Sequence, residues 1–236
     1  MSMPDIVSRE EWLQARLKHL EAEKAFDRQR DALSAARRDL PWVRVEEDYV
    51  FDSKSGPVKL ADLFGDRSQL IIYHFMYHPS WEEGGCPACS LLGDHFDGIV
   101  KHLGQRDCSF AVVAKASVEQ IEKYQQRLGW HFEWVSSGNN NFNRDYNVAF
   151  TAEEIQHGVR YNYRDGVKFP SEEGPGASVF TRNEAGEIFH SYSTYARGLD
   201  KLIGTYHFLD ITPKGRDEDA LPFSMAWVRR HDEYED

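Results

Sequence analysis

The chain has 236 residues, 41% hydrophobic and 28% charged, the balance of a globular protein long enough to bury a sizeable core. Its 39 acidic and 28 basic side chains leave a formal net charge of −11. No long Lys/Arg run offers the basic surface that displaces counterions from nucleic acid. The longest apolar runs, residues 70–77 and 110–114, are far too short to span a bilayer. Three cysteines are too few for a disulfide framework.

The opening Met-Ser-Met-Pro-Asp lacks the basic-then-apolar pattern of a secretory signal, which predicts a cytoplasmic protein. Residues 1–40 read as a helical arm, 41–215 as the main domain and 216–236 as a C-terminal tail. In the arm, Ser8-Arg9-Glu10-Glu11 is a capping box, with Val7 and Trp12 at the two positions of a hydrophobic staple. Leu13, Leu17 and Leu20 follow as one stripe at helical spacing. The pattern fades after Phe26 and stops before Pro41. The arm is expected to pack on the main domain or on a second copy of the chain, which would make a homo-oligomer.

From Trp42 onward, strand and helix signals alternate. Val43, Val45 and Val50-Phe51 suggest a strand or hairpin turning at Ser55-Gly56-Pro57, and 60–64 a helical turn ended by Gly65. Residues 70–77 are apolar on both faces, as in a central strand covered on each side. A helix carrying Leu92, Phe96, Ile99 and Leu103 on one face comes next, then a buried strand at 110–114. Ser117 caps a helix with Val118, Ile121, Tyr124 and Leu128, ended by Gly129. Residues 136–147 read as loop. Residues 150–173 show no clear period and read as an insertion. Strands at 177–181 and 187–192 are joined by Asn183-Glu184-Ala185-Gly186, and a last helix follows Gly198 with Leu199, Leu202, Ile203, Tyr206 and Leu209 on one face. Right-handed crossovers make the first two strands parallel neighbours, and the hairpin adds an antiparallel edge. The predicted fold is α/β: a thioredoxin-like three-layer sandwich with a mixed central sheet, an N-terminal helical extension and an insertion before the edge hairpin.

Cys86-Pro87-Ala88-Cys89 falls where the central strand gives way to a helix. A thiolate there is stabilised by unpaired N–H groups and the positive end of the helix dipole. Pro87 suits the first turn because its missing N–H would have had no partner. Gly84-Gly85 let the chain bend and a partner backbone approach. Cys86 is the candidate attacking thiol, and Cys89, a turn deeper, the candidate resolving thiol. Glu82 and Glu83 oppose this, since negative charge nearby raises a thiol pKa. Cys108, alone at the start of an apolar run, reads as a small buried hydrophobe. Asp217-Glu218-Asp219 and residues 232–236 read as solvated surface.

The run Tyr73-His74-Phe75-Met76-Tyr77-His78-Pro79-Ser80-Trp81-Glu82-Glu83-Gly84-Gly85-Cys86-Pro87-Ala88-Cys89 resembles a thioredoxin-like family of unknown function described as predicted dithiol-disulfide oxidoreductases. Trp134-Val135-Ser136-Ser137, Phe142-Asn143, the 195–200 and 209–215 stretches and Trp227-Val228-Arg229-Arg230-His231-Asp232 extend the resemblance over nearly the whole chain. It implies reversible exchange between the Cys86/Cys89 dithiol and a disulfide or oxidised-thiol substrate, with no bound cofactor but with an external electron donor. It also implies a cis-proline at the start of the edge hairpin, facing the cysteines. Pro175 has the order for that role, and Trp81 joins it as a candidate substrate contact. Two features depart from thioredoxin itself: Trp81 lies five residues before the first cysteine instead of adjacent to it, and no buried acid is assignable.

Three other readings compete. A peroxiredoxin-like thiol peroxidase would use P-x-x-x-T-x-x-C, but Glu83 stands at the hydroxyl position and no Arg occurs in 177–180 to stabilise the thiolate. A zinc site could draw on Cys86, Cys89 and His74, His78 or His95, although no second close ligand pair is present. A non-catalytic interaction module could present Trp81, Trp130, Trp134 and Phe142 to a partner.

Overall fold

The computed structural model describes residues 4–235 and divides into two compact units, one ending at Pro41 and one beginning at Trp42. The first is a single helix, α1 (Arg9–Arg38). Ser8 accepts from the Glu11 N–H at 3.2 Å, and the Glu11 carboxylate accepts from the Ser8 N–H at 3.0 Å. The helix continues well past Phe26, where the apolar stripe fades. Arg37 and Arg38 face its negative end, a favourable placement at any exposed terminus. No residue of α1 is buried. Among the described residues, no helix is long and apolar enough to cross a membrane.

The second unit holds an eight-stranded mixed sheet. In chain order its strands are β1 (Val43–Arg44), β2 (Val50–Ser53), β3 (Gly56–Lys59), β4 (Gln69–His74), β5 (Cys108–Ala114) and β6 (Trp134–Ser136). A separate two-stranded ribbon, β7 (Val159–Tyr161) and β8 (Arg164–Val167), precedes the last two, β9 (Gly176–Arg182) and β10 (Ile188–Tyr195). The spatial order in the large sheet is β1-β10-β9-β4-β5-β6-β2-β3. β4, β5 and β6 run parallel, and β9 is antiparallel to β4 with Tyr73 opposite Ala177 and His74 opposite Gly176. The hairpin β9–β10 is not itself the edge, because the two residues of β1 pair outside β10.

Helices α2 (Pro87–Gly93), α3 (Phe96–Gly104), α4 (Val118–Leu128), α5 (Phe142–Asp145), α6 (Ala152–His157) and α7 (Gly204–Leu209) complete the unit. Side chains alternate across a strand, so β4 feeds two cores. Tyr73 joins Leu92, Phe96, Ile121, Tyr124 and Trp134 under the helices. Leu70 and Ile72 join Phe51, Phe64, Phe142 and Phe180 on the other face. This is the thioredoxin-like sandwich expected from the element order.

Several elements differ from expectation. The helix expected through Leu92 and Leu103 is two, broken at Asp94-His95, where Trp130 Nε1 bonds Asp94 at 2.9 Å and His95 bonds Thr205 at 3.0 Å. The last helix is likewise divided, into a 3-10 segment (Ala196–Leu202) and α7. Trp134–Ser136, too short to show alternation, is a strand. The insertion is ordered around Val148, Phe150, Val159, Tyr161 and Tyr195. Its β7–β8 turn uses Asn162 and Tyr163, both at positive φ, so the glycine that normally marks such a hairpin is missing.

Candidate active site

Beyond His74 the chain stays extended: the Phe75 N–H donates to Val113 O at 2.8 Å. It turns at 78–81, and returns so that the Cys86 N–H donates to Met76 O at 3.0 Å. Gly84 has φ +117, and a Cβ there would strike the Tyr124 ring; one on Gly85 would strike Phe75. Both glycines are buried. They press the loop onto its own core, so the close approach they permit is internal and not to a partner backbone.

Cys86 is the N-cap residue of α2 and Pro87 opens the helix. Cys86 is half-buried, Cys89 is buried, and the two lie 4.1 Å apart without a bond. The neutral Cys86 thiol makes no capping hydrogen bond, but its anion is favoured. The Cys89 S–H is the main cause, against the cost of burial; the N–H groups of Cys89 and Ala88 and the Arg230 guanidinium add to it. Together they hold Cys86 below its ordinary 9.0, at about 7. Burial pushes Cys89 the other way, aided by its bond to Cys86, while the Tyr73 hydroxyl and the Met76 N–H partly offset that. One sulfur is therefore primed as an anion and the other kept as a proton donor. Glu82 and Glu83 are exposed, where water and salt screen their charge.

Arg230 escaped the sequence reading. Residues 216–235 belong to the second unit, and Arg230 is buried at 8% exposure. Its Nη2 donates to Gly85 O at 2.9 Å, its Nε to Tyr124 Oη at 2.8 Å and its Nη1 to Glu233 at 2.6 Å. Tyr124 Oη in turn lies 2.9 Å from Ser90 Oγ, which donates to Cys86 O at 3.0 Å. A buried cation thus braces the peptide just before Cys86. The two acidic runs are mostly exposed, as expected of solvated surface, but three of their carboxylates have partners. Asp232 and Glu233 pair with Arg127, whose Nη1 also donates to Glu83 O. Glu218 accepts from Tyr206 Oη, the Met225 N–H and Trp227 Nε1. The local signal for Arg230 is slight: apolar Trp227 and Val228 just before it in an acidic stretch.

Pro175 is half-buried at the start of β9, and its peptide bond is trans, contrary to the expected cis form. The segment is held extended by its partners: the Gly174 N–H donates to Val148 O at 2.8 Å, and Pro175 O accepts from Tyr161 Oη at 2.7 Å. Tyr161 lies near enough to Cys89 for a sulfur anion to push its phenol pKa upward, although burial is the larger cause. Trp81 is half-buried and packs against the main core.

The remaining candidates have other partners. His74 is fully buried, with Nδ1 3.1 Å from Asn143 Oδ1 and Nε2 2.8 Å from Ser178 Oγ. Since Asn Oδ1 only accepts, Nδ1 carries the proton and Ser178 donates to Nε2. His78 bonds Ser80 and His95 bonds Thr205. Among the described residues, no group of three or more His, Cys, Asp or Glu is arranged to hold a metal. Trp130, Trp134 and Phe142 are buried in the two cores. Cys108 is buried, and burial raises its thiol.

Among solved structures, the peroxidoxin BcpB from Mycobacterium tuberculosis is 13% identical, over 70% of this chain and 95% of its own, with a TM-score of 0.49. PrxQ from Xylella fastidiosa is 11% identical over 71% and 94%, at 0.45. Peroxiredoxin Q from Xanthomonas campestris is 16% identical over 74% and 94%, at 0.44. No curated protein matches. A family model described as a bacterial protein of unknown function, DUF899, matches residues 1–234, and the chain belongs to that family.

Proposed function

We propose that the chain is a thiol–disulfide oxidoreductase working through Cys86 and Cys89. The Cys86 thiolate attacks one sulfur of a disulfide, that S–S bond breaks, and the leaving thiolate takes a proton from solvent. Cys89 then attacks the mixed disulfide, releases the second thiol and closes the Cys86–Cys89 bond. Two electrons pass from the dithiol to the substrate, and an external dithiol donor restores the pair. Trp81 and Pro175 are assigned to the substrate rim.

One observation carries the reading: a half-buried cysteine at a helix start, lowered to about 7, beside a buried cysteine 4.1 Å away. Peroxide as the oxidant is a second reading, favoured by Arg230, which supplies a cation that 177–180 lacks. Thiol alkylation with mass spectrometry separates the two. Exchange yields a Cys86–Cys89 bond, and Cys89→Ser accumulates a mixed disulfide at Cys86. Peroxidase action yields sulfenic acid at Cys86 with micromolar peroxide. An inert pair under both treatments would overturn both readings.

A further inference from the structure

An extended polypeptide docks beside a reactive thiol by pairing its backbone with free N–H and C=O groups, as in strand addition. Around Cys86 several of these groups are already engaged. The segment leading into β9 pairs antiparallel with the chain's own residues 148–150. Phe150 N–H donates to Glu172 O at 2.8 Å, Ala149 bridges Glu173, and the Gly174 N–H donates to Val148 O at 2.8 Å. From Gly176 onward β9 is an interior strand, bonded on one side to β4 and on the other to β10.

The groups on the other side of the sulfur are also taken. Gly85 O accepts from Arg230, Met76 O from the Cys86 N–H, and Tyr77 O from the Ala116 N–H at 2.8 Å. Pro175 O holds the Tyr161 hydroxyl, which itself accepts the Ala196 N–H at 3.0 Å. The insertion therefore takes up backbone groups at the head of β9 that a peptide substrate would need. It leaves Cys86 half-open to a molecule that needs no backbone pairing.

We infer that the substrate of this site is a low-molecular-weight disulfide and not a disulfide carried on an extended protein segment. This rests on the exchange reading above. The chemistry is unchanged: Cys86 bonds one sulfur of the small disulfide, two small thiols leave in turn, and the electrons come from the Cys86/Cys89 dithiol.

The test is single-turnover oxidation of the pre-reduced full chain by hydroxyethyl disulfide or by insulin. The Cys86–Cys89 bond is followed by alkylation and mass spectrometry. Each rate is divided by the rate at which free dithiothreitol reduces the same disulfide, which removes intrinsic reactivity. Two substrate backbone groups desolvated beside Cys86 without partners predict a normalised preference for the small disulfide of about tenfold or more. A smaller preference, or a preference for insulin, overturns this inference and leaves the exchange reading standing. Reaction with neither overturns the exchange reading itself, and this inference with it.

Discussion

Tyr73 and His74 are neighbours in β4, yet they point to opposite faces and to two polar groups that ionise in opposite senses. On the Tyr73 face, Cys86 meets the Cys89 S–H, two helix-start N–H groups and the Arg230 guanidinium, and its thiol falls to about 7. On the His74 face, Glu173 is only 1% exposed. One of its oxygens accepts from Asn143 at 3.4 Å and the other has no hydrogen-bond partner. Burial lifts its carboxyl from the ordinary 4.5 to about 8. Both groups lose water, but donors offset that cost at Cys86, whereas at Glu173 one long hydrogen bond does not.

The sharpest way to break this contrast is at the sulfur itself. Cys86→Ser should lower disulfide turnover by at least about a thousandfold, because a neutral hydroxyl cannot replace a thiolate nucleophile. Retained turnover in a hydroxyethyl disulfide assay would remove Cys86 from the chemistry. Cys89→Ala should come next. It deletes the main donor to the thiolate, so the midpoint of Cys86 alkylation against pH should rise from about 7 by about one pH unit. A midpoint left in place would mean that the partner thiol does not tune its neighbour.

Arg230→Gln removes a secondary contribution, and a rise of about half a unit in the same midpoint is expected. Arg230→Lys should keep part of the effect, since the charge remains while the two-pronged grip on Gly85 and Tyr124 is lost. An unchanged pH profile in the glutamine variant would reduce Arg230 to a structural brace.

On the opposite face the expected effect is on stability and not on turnover. The folded Glu173 holds a proton that the unfolded chain releases near 4.5, so native stability should fall as pH rises from about 4.5 to about 8. Glu173→Gln removes that slope. The variant should gain a few kcal/mol over wild type at pH 8 in urea unfolding, and little at pH 5. Parallel stability–pH curves for the two proteins would show that Glu173 is not the group responsible.

Much of the site's core was legible from local rules. The Cys-Pro-Ala-Cys run after an apolar strand announces a helix start, and Pro87 marks its first position. Cys86 as the more open sulfur and Cys89 as the deeper one follow from helical spacing. The surroundings were not legible. Arg230 lies 141 positions from Cys89 in the chain, and its role depends on the C-terminal segment folding back over α4. The insertion was opaque because its pieces are short, its turn uses Asn162-Tyr163 at positive φ, and its apolar residues pack on each other and on Tyr195.

Sequence alone determined the alternation of strand and helix, the parallel pair β4–β5, the capping of α1 and α4, and the dithiol at the head of α2. These depend on periodicity and on contacts a few residues apart, which a linear chain displays directly. Tertiary structure decided which side chains surround the sulfurs, where Glu173 loses its water, and which backbone groups remain free beside Cys86. Those outcomes depend on segments far apart in the chain meeting in three dimensions, and burial and electric field exist only once they have met.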